Sequence, residues 1–325
     1  MVRLYIARPG GPSGPSDVHE SPREYGIMAH QIVIQATVAH FWPTGAQRCQ
    51  DPRIDSTGEQ PLSAPSSALP LLNHKDQGQG PAVVLIHGLF GSLDNLGLLA
   101  RALADQYRVI SLDLRNHGAS FHSMEMSYPL MAADLLTLLD SLHIEKASLI
   151  GHSMGGKVAM QVAKQAPTRV ERLIVADMAP VAYPHARHQN VFAGLNATLA
   201  KMPKSRNEAE TLLAEHIEIP GVRQFLLKSF AKDGVDWGWR FNVAALEHSY
   251  ANIMGWPDSQ SRFDGPTLFI KGGESDYMLP AYTETVMAQF PAAKARVIAG
   301  TGHWLHAEKP VLFNKLVVDF LSIGG

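Results

Sequence analysis

Five residues, Gly151-His152-Ser153-Met154-Gly155, restrict this chain more than any other stretch. They lie between Ala147–Ile150, an apolar run of the buried-strand type, and Lys157–Lys164, which has helix formers and apolar residues at helical spacing. A G-x-S-x-G joining strand to helix presents its serine on a sharp turn in a sparsely populated backbone region. Glycines at 151 and 155 let strand and helix pass closely, and the helix start aims amides and a positive dipole end at the serine oxygen. Ser153 is the candidate nucleophile. Glycine and serine are common enough for a chance match, and the strand, turn and helix context argues against one.

The 325 residues, 46% of them hydrophobic, suffice for one large core. A formal charge of −2 without a long basic stripe gives no reason to expect nucleic acid or an anionic membrane as partner. Fifteen histidines raise the question of a metal, but no HExxH spacing or Cys/His cluster is present, and hydrogen-bonded or solvent-facing roles are the default. No metal and no cofactor are expected. The single cysteine, Cys49, cannot form an internal disulfide, which fits a reducing compartment and an expected cytoplasmic location.

Residues 1 to 66 are rich in Gly, Pro, Ser and charge, with one apolar stretch, Ile32–Phe41, and are expected to be a disordered extension. That stretch is too short to span a bilayer and lacks the pattern of a secretory signal. A misassigned upstream start, with Met28 or a later residue as the true beginning, accounts for the segment equally well.

Further on, a weak strand is expected over Leu69–His74, a turn at Gln77–Gly80 and a buried strand at Ala82–Ile86. His87-Gly-Leu-Phe-Gly91 is a glycine-punctuated loop that can aim the Leu89 amide at an oxyanion, and Asp94 is the expected cap of a helix running to about Gln106. Alone, the loop would be an ordinary tight connection; beside a nucleophile turn, Leu89 and Met154 become candidate oxyanion donors. Tyr107–Leu112 reads as a strand, Asp113–Ser120 as a structural loop, and Tyr128–Leu142 as an amphipathic helix with Leu130, Ala133, Leu135, Leu138, Leu139 and Leu142 inward. Strands alternating with helices predict a mostly parallel sheet with flanking helices. The core is expected over 67–180 and 265–325. Residues 181–264 break the rhythm with helical patterns and the aromatics Trp237, Trp239, Phe241 and Trp256, and read as an inserted helical cap lining an acyl pocket.

A serine hydroxyl needs a base, and the base needs a carboxylate to fix its tautomer. His303, in the loop after the last expected strand, is the candidate base; His87, His152 and His306 are its rivals, the first two better read as structural or pocket-lining. Two strand-end acids compete, Asp177 after Val170–Ala176 and Asp276 after Pro266–Lys271. The residues alone leave them nearly even.

The segments HGLFGSLDNLGLLAR, DLRNHGAS, GHSMGGK, FLLKSF, WRFNV and AGTGHWLHAEKP together resemble the small bacterial α/β-hydrolase esterases of the YbfF type, from about residue 69 to the C-terminus. The resemblance implies an α/β-hydrolase fold. It further implies that the acid is the aspartate after the sixth strand, matching Asp177, with Ser275 as an auxiliary serine near the histidine. Asp276 stands where such esterases carry a proline and stays as the alternative acid. The implied activity is acyl-enzyme hydrolysis of short acyl esters or thioesters, including acyl-CoA or lipid-like esters, without a cofactor. Lactone hydrolysis, carbon–carbon cleavage, perhydrolysis and a non-enzymatic ligand-binding role on the same fold stay open. Dehalogenase and epoxide hydrolase chemistry, which use an aspartate at the turn, do not fit Ser153.

Overall fold

The strands expected from apolar runs assemble into one sheet in the computed structural model, which describes residues 70–184, 187–257 and 261–322. The extension expected over 1 to 66 lies outside them. The order is β1-β3-β2-β4-β5-β8-β9, with β1 (His74–Gln77) antiparallel to β3 (Arg108–Leu112) and every other pair parallel: β2 (Ala82–Ile86), β4 (Ala147–His152), β5 (Val170–Ala176), β8 (Thr267–Gly272) and β9 (Ala293–Ile298). Pleating sends alternate side chains to opposite faces. Val84 and Ile86 join Met131, Leu135, Val158 and Val162 from α2 (Tyr128–Ser141) and α3 (Met154–Gln165) in one core cluster. Val83 and Leu85 join Leu99, Leu103, Phe313 and Val317 from α1 (Gly97–Leu103) and α11 (Pro310–Leu321) in the other.

Three local expectations are corrected. The first strand lies at His74–Gln77, not Leu69–His74, because it is a polar edge strand, partly or fully exposed throughout, whose pairing rather than apolarity defines it. Helix α1 starts at Gly97 with Leu96 at its N-cap; Asp94 instead accepts Gly97 N within a preceding turn. The inward face of α2 is Tyr128, Met131, Ala132, Leu135, Leu138 and Leu139, while Ala133 is exposed. Including Tyr128 and Met131 rotates the stripe, and the tyrosine hydroxyl is satisfied by donating to Ile253 O at 2.5 Å.

Between β5 and β8, which are sheet neighbours, the chain inserts α4 (Gln189–Lys201), α5 (Arg206–Ala214), α6 (Pro220–Leu227), the hairpin β6 (Phe230–Asp233) and β7 (Asp236–Trp239), α7 (Val243–His248) and α8 (Tyr250–Met254). The expected insertion is thus not wholly helical. Trp237 and Trp239 sit in the hairpin, where they pack on Phe230, and Trp239 also stacks on Phe241. The last turn of α8 is fastened to the sheet side: Tyr128 holds Ile253 O, the Tyr183 amide holds Met254 O at 2.8 Å, and Lys157 Nζ holds Gly255 O at 2.7 Å. Among the described residues no helix is long and apolar enough to cross a membrane.

Candidate active site

Ser153 stands between β4 and α3 at φ 55°, ψ −122°, in the left-handed half of backbone space that a residue with a Cβ seldom enters. Its amide donates to Ala176 O at 3.0 Å, locking the turn onto the neighbouring strand. The two motif glycines explain how the turn closes. A Cβ on Gly151 would lie 2.1 Å from Gly155 O, and one on Gly155 would lie 2.4 Å from both Ile86 O and His87 O.

His303 follows β9 in the loop that opens α10 (Leu305–Glu308), with Nε2 2.8 Å from Ser153 Oγ and Nδ1 2.7 Å from Asp177 Oδ2. Asp177 is fully buried at the end of β5 and is also left-handed, at φ 52°. Its Oδ1 accepts from Gly272 N at 2.9 Å, and Oδ2 also accepts a short hydrogen bond from Ser275 Oγ. A carboxylate so engaged accepts from Nδ1–H, which leaves Nε2 bare to receive the serine proton. Counted along the described chain, Asp177 follows the fifth strand rather than the sixth, since no sheet strand precedes β1 among the described residues.

Asp276 is directed elsewhere. It forms a two-pronged ion pair with Arg187, at 3.0 and 2.7 Å, and that guanidinium keeps its carboxyl below the usual range. Arg187 lies over the Tyr277 ring at 4.4 Å, and Tyr277 stacks on the His303 imidazole with centroids 3.9 Å apart and planes 20° from parallel. Neither contact is foreshadowed in the sequence, beyond the placement of Tyr277 two residues after Ser275.

The loop opposite the serine is braced by two buried histidines. His87 Nδ1 donates to Gly88 O at 2.7 Å and Nε2 accepts from Leu114 N at 3.1 Å; His117 Nδ1 donates to Arg115 O at 2.9 Å and Nε2 accepts from Phe90 N at 3.2 Å. Burial lowers both, His117 to about 3, so both rings are neutral and can accept. The loop over Asp113–Ser120 supplies the remaining support: Asp113 accepts from Leu93 N and Ala119 N, and Gly118 turns at φ 56°. The amides of Leu89 and Met154 have no protein acceptor among the described residues, which leaves both donors available beside Ser153.

Ser153 opens into a cavity of about 360 Å³. Phe90, Leu89, Met178 and Tyr183 line it from the sheet side, while Val191, Ile217, Ile219, Val222, Phe225 and Leu226 line it from the insertion. The expected aromatics Trp237, Trp239, Phe241 and Trp256 do not. They are consumed in packing: Trp256 lies beside Tyr128, and its indole donates to Gln289 Oε1 at 2.9 Å. Phe225 and Trp304, with centroids 5.8 Å apart, take the role instead. Lys157, one helical turn past the serine, also lines the cavity; it is 1% exposed and burial lowers it to about 7. Among the described residues no group of His, Cys, Asp and Glu is arranged to hold a metal ion.

A serine on a strand-to-helix turn at the carboxyl edge of a mainly parallel sheet, facing a histidine and a buried aspartate, defines a class of hydrolase by architecture and by site. The chain belongs to the alpha/beta hydrolase family, whose model matches residues 83–316. It is 48% identical over 248 residues to esterase YbfF of Escherichia coli, covering 76% of this chain and 96% of that protein. It is 40% identical over 249 residues to the sn-1-specific diacylglycerol lipase ABHD11 of Mus musculus, covering 74% and 81%. Among solved structures, a marine microorganism esterase superposes with a TM-score of 0.74 at 36% identity, covering 77% of this chain and 99% of that one.

Proposed function

We propose that the protein is a serine carboxylic ester hydrolase acting through an acyl-enzyme. It is an ester-cleaving α/β hydrolase in which Ser153 is the nucleophile, His303 the general base and then acid, and Asp177 the orienting carboxylate. The observation carrying the reading is the unbroken line Ser153 Oγ, His303 Nε2, His303 Nδ1, Asp177 Oδ2, with contacts of 2.8 and 2.7 Å. Names of relatives as esterase and diacylglycerol lipase support the same chemistry.

In acylation Ser153 Oγ bonds to the ester carbonyl carbon while its proton passes to His303 Nε2. The carbonyl oxygen becomes an oxyanion held by the amides of Leu89 and Met154. When the tetrahedral species collapses, the bond to the leaving oxygen breaks and His303 returns the proton to it. Water then repeats the sequence on the acyl-serine, releasing the acid and restoring Ser153. Ser275, by donating to Asp177, keeps that carboxylate turned toward Nδ1.

The substrate class in this reading is small acyl esters, with thioesters sharing the mechanism. The segment from 181 to 264 is a cap bounding the acyl site, and the apolar lining of the cavity favours an uncharged chain over nucleic acid. A cytoplasmic location completes the proposal, supported by the single Cys49. The test is labelling with a fluorophosphonate read by intact mass, followed by a panel of p-nitrophenyl esters, thioesters and lactones. One adduct on Ser153 and turnover of the esters are expected; absence of both would overturn the reading.

A further inference from the structure

The residue just before the serine makes a contact that the acyl-transfer chemistry leaves unused. His152 is 6% exposed, and its Nε2 lies 2.8 Å from the backbone carbonyl oxygen of His303. A carbonyl only accepts, so Nε2 carries the proton and Nδ1 is bare. That side of the ring lies against the loop before Phe90, where a Cβ on Gly88 would come within 3.2 Å of Nδ1. The ring is then flanked by two more imidazoles, His303 at 4.8 Å and His306 at 4.4 Å between centroids.

We infer that His152 is a positioning residue: its Nε2–H ties the serine turn to the main chain of the base, setting the distance between the two loops from which Ser153 and His303 project. The inference rests on the proposed roles of those two residues. Its physical content is that Ser153 Oγ and His303 Nε2 come from segments 150 residues apart in sequence, so their separation is set by how the loops are joined. The side-chain contacts of His303, to Asp177 and Tyr277, fix the plane of the imidazole. The contact from His152 fixes the backbone from which that imidazole hangs. A misplacement on the ångström scale at such a contact costs about 10²-fold in rate.

The strut is also held neutral. Burial lowers His152 well below the ordinary histidine value, and its neighbours His306, His303 and His87 push the same way, while the contact to His303 O acts against them. Lys228 faces His306 from the end of α6 and adds positive potential to the cluster. A neutral His152 matters for the reaction, because His303 carries a positive charge in the transition state and a second imidazolium at 4.8 Å would oppose it.

The test uses His152→Leu and His152→Phe, which remove the donor, and His152→Gln, whose amide restores one at nearly the same reach. The Leu and Phe variants are expected to lose about 10- to 100-fold in kcat and in fluorophosphonate labelling rate while KM moves by less than about threefold, and Gln is expected to recover about tenfold over Leu. Wild-type kcat in a folded Leu or Phe variant would overturn the inference. So would abolition of labelling by His152→Gln together with its retention in His303→Ala, since His152 would then be the base. An unlabelled wild type would remove both this inference and the proposed function. A second measurement needs no variant: ¹⁵N-detected NMR of wild-type imidazoles is expected to show His152 protonated at Nε2 alone and unchanged from pH 8 to pH 6. A bare Nε2 or a titration in that range would sink the idea.

Discussion

His303 Nδ1 and Asp177 Oδ2 are 2.7 Å apart, while Asp276, the other acid at a strand end, has both its oxygens on Arg187. The two aspartates are therefore expected to respond differently to loss of charge. Asp177→Asn should lower kcat/KM by about two to four orders of magnitude, following the precedent for triad carboxylates, and Asp276→Asn by about tenfold or less. The pair of single variants and their double, assayed on one small ester, decides the matter. A crippling Asp276→Asn beside a mild Asp177→Asn would reverse the assignment.

Ser153→Ala should abolish both ester turnover and covalent labelling while leaving the circular dichroism spectrum and Tm close to wild type. Only the hydroxyl is removed, and the turn geometry is held by the Ser153 amide on Ala176 O. Persistent wild-type turnover would exclude a serine mechanism.

Glycine replacements separate steric need from helix propensity. Gly151→Ala places a methyl 2.1 Å from Gly155 O, a backbone atom that cannot yield cheaply, and loss of soluble or active protein is expected. Gly221→Ala, in the first turn of α6 with nothing within 4 Å of the new Cβ, should stabilise by up to about 1 kcal/mol. Urea midpoints compare the two directly; a tolerated Gly151→Ala would mean the elbow relaxes more than its packing suggests.

Burial holds His117 at about 3 and His188 and His306 at about 4, each below the value of about 6.5 that applies when the chain is unfolded. Each thus takes up a proton on unfolding at pH values between its folded and unfolded values. Their contribution is fully present above pH 6.5 and declines as pH falls toward 4, by about 1.4 kcal/mol per pH unit for each histidine. Denaturant midpoints should be flat across the weakly alkaline range with respect to these groups and drop steeply below about pH 6. His117→Gln should reduce the steepness by about one proton, and equal stability at pH 5 and pH 7.5 would contradict the account.

Phe225 packs against Trp304 at the cavity, on the insertion side. Phe225→Ala should change discrimination between acetyl and octanoyl p-nitrophenyl esters by about tenfold, the scale of one or two methylene contacts, while altering the labelling rate by a small fluorophosphonate much less. An equal change for every ester would argue that this wall does not contact the acyl chain.

Much of the sheet was readable because its central parallel strands are largely buried on both faces: Ala82–Ile86 and Val170–Ala176 announce themselves as apolar runs. Strand β1 did not, since His-Lys-Asp-Gln has no apolar face to read. Ser153 and His303 were legible from local spacing and chain order, whereas the choice between two strand-end acids depended on resemblance, because sequence carries no record of which acid a distant arginine occupies. The four aromatics assigned to the cavity were misplaced for a similar reason. Trp237, Trp239 and Phe241 pack along a hairpin, whose polar turn and short strands were indistinguishable from a helix connection. His117 and His152 make their hydrogen bonds to backbone atoms, which leave no periodicity behind.

The insertion leaves the sheet after Ala176 and returns at Thr267, on strands that are already hydrogen-bonded partners, Ala176 lying opposite Ile270. Both of its ends are therefore anchored to neighbouring parallel strands of one sheet, whose pairing does not involve the residues between them. Such a segment is exchangeable: a different helical module grafted between these strands would meet the same serine, histidine and aspartate, with the docking donors Tyr128 and Lys157 as the constraint the newcomer must satisfy. On the proposed roles, selectivity among esters can then diversify through one contiguous replacement, while the machinery on the sheet edge is inherited unchanged.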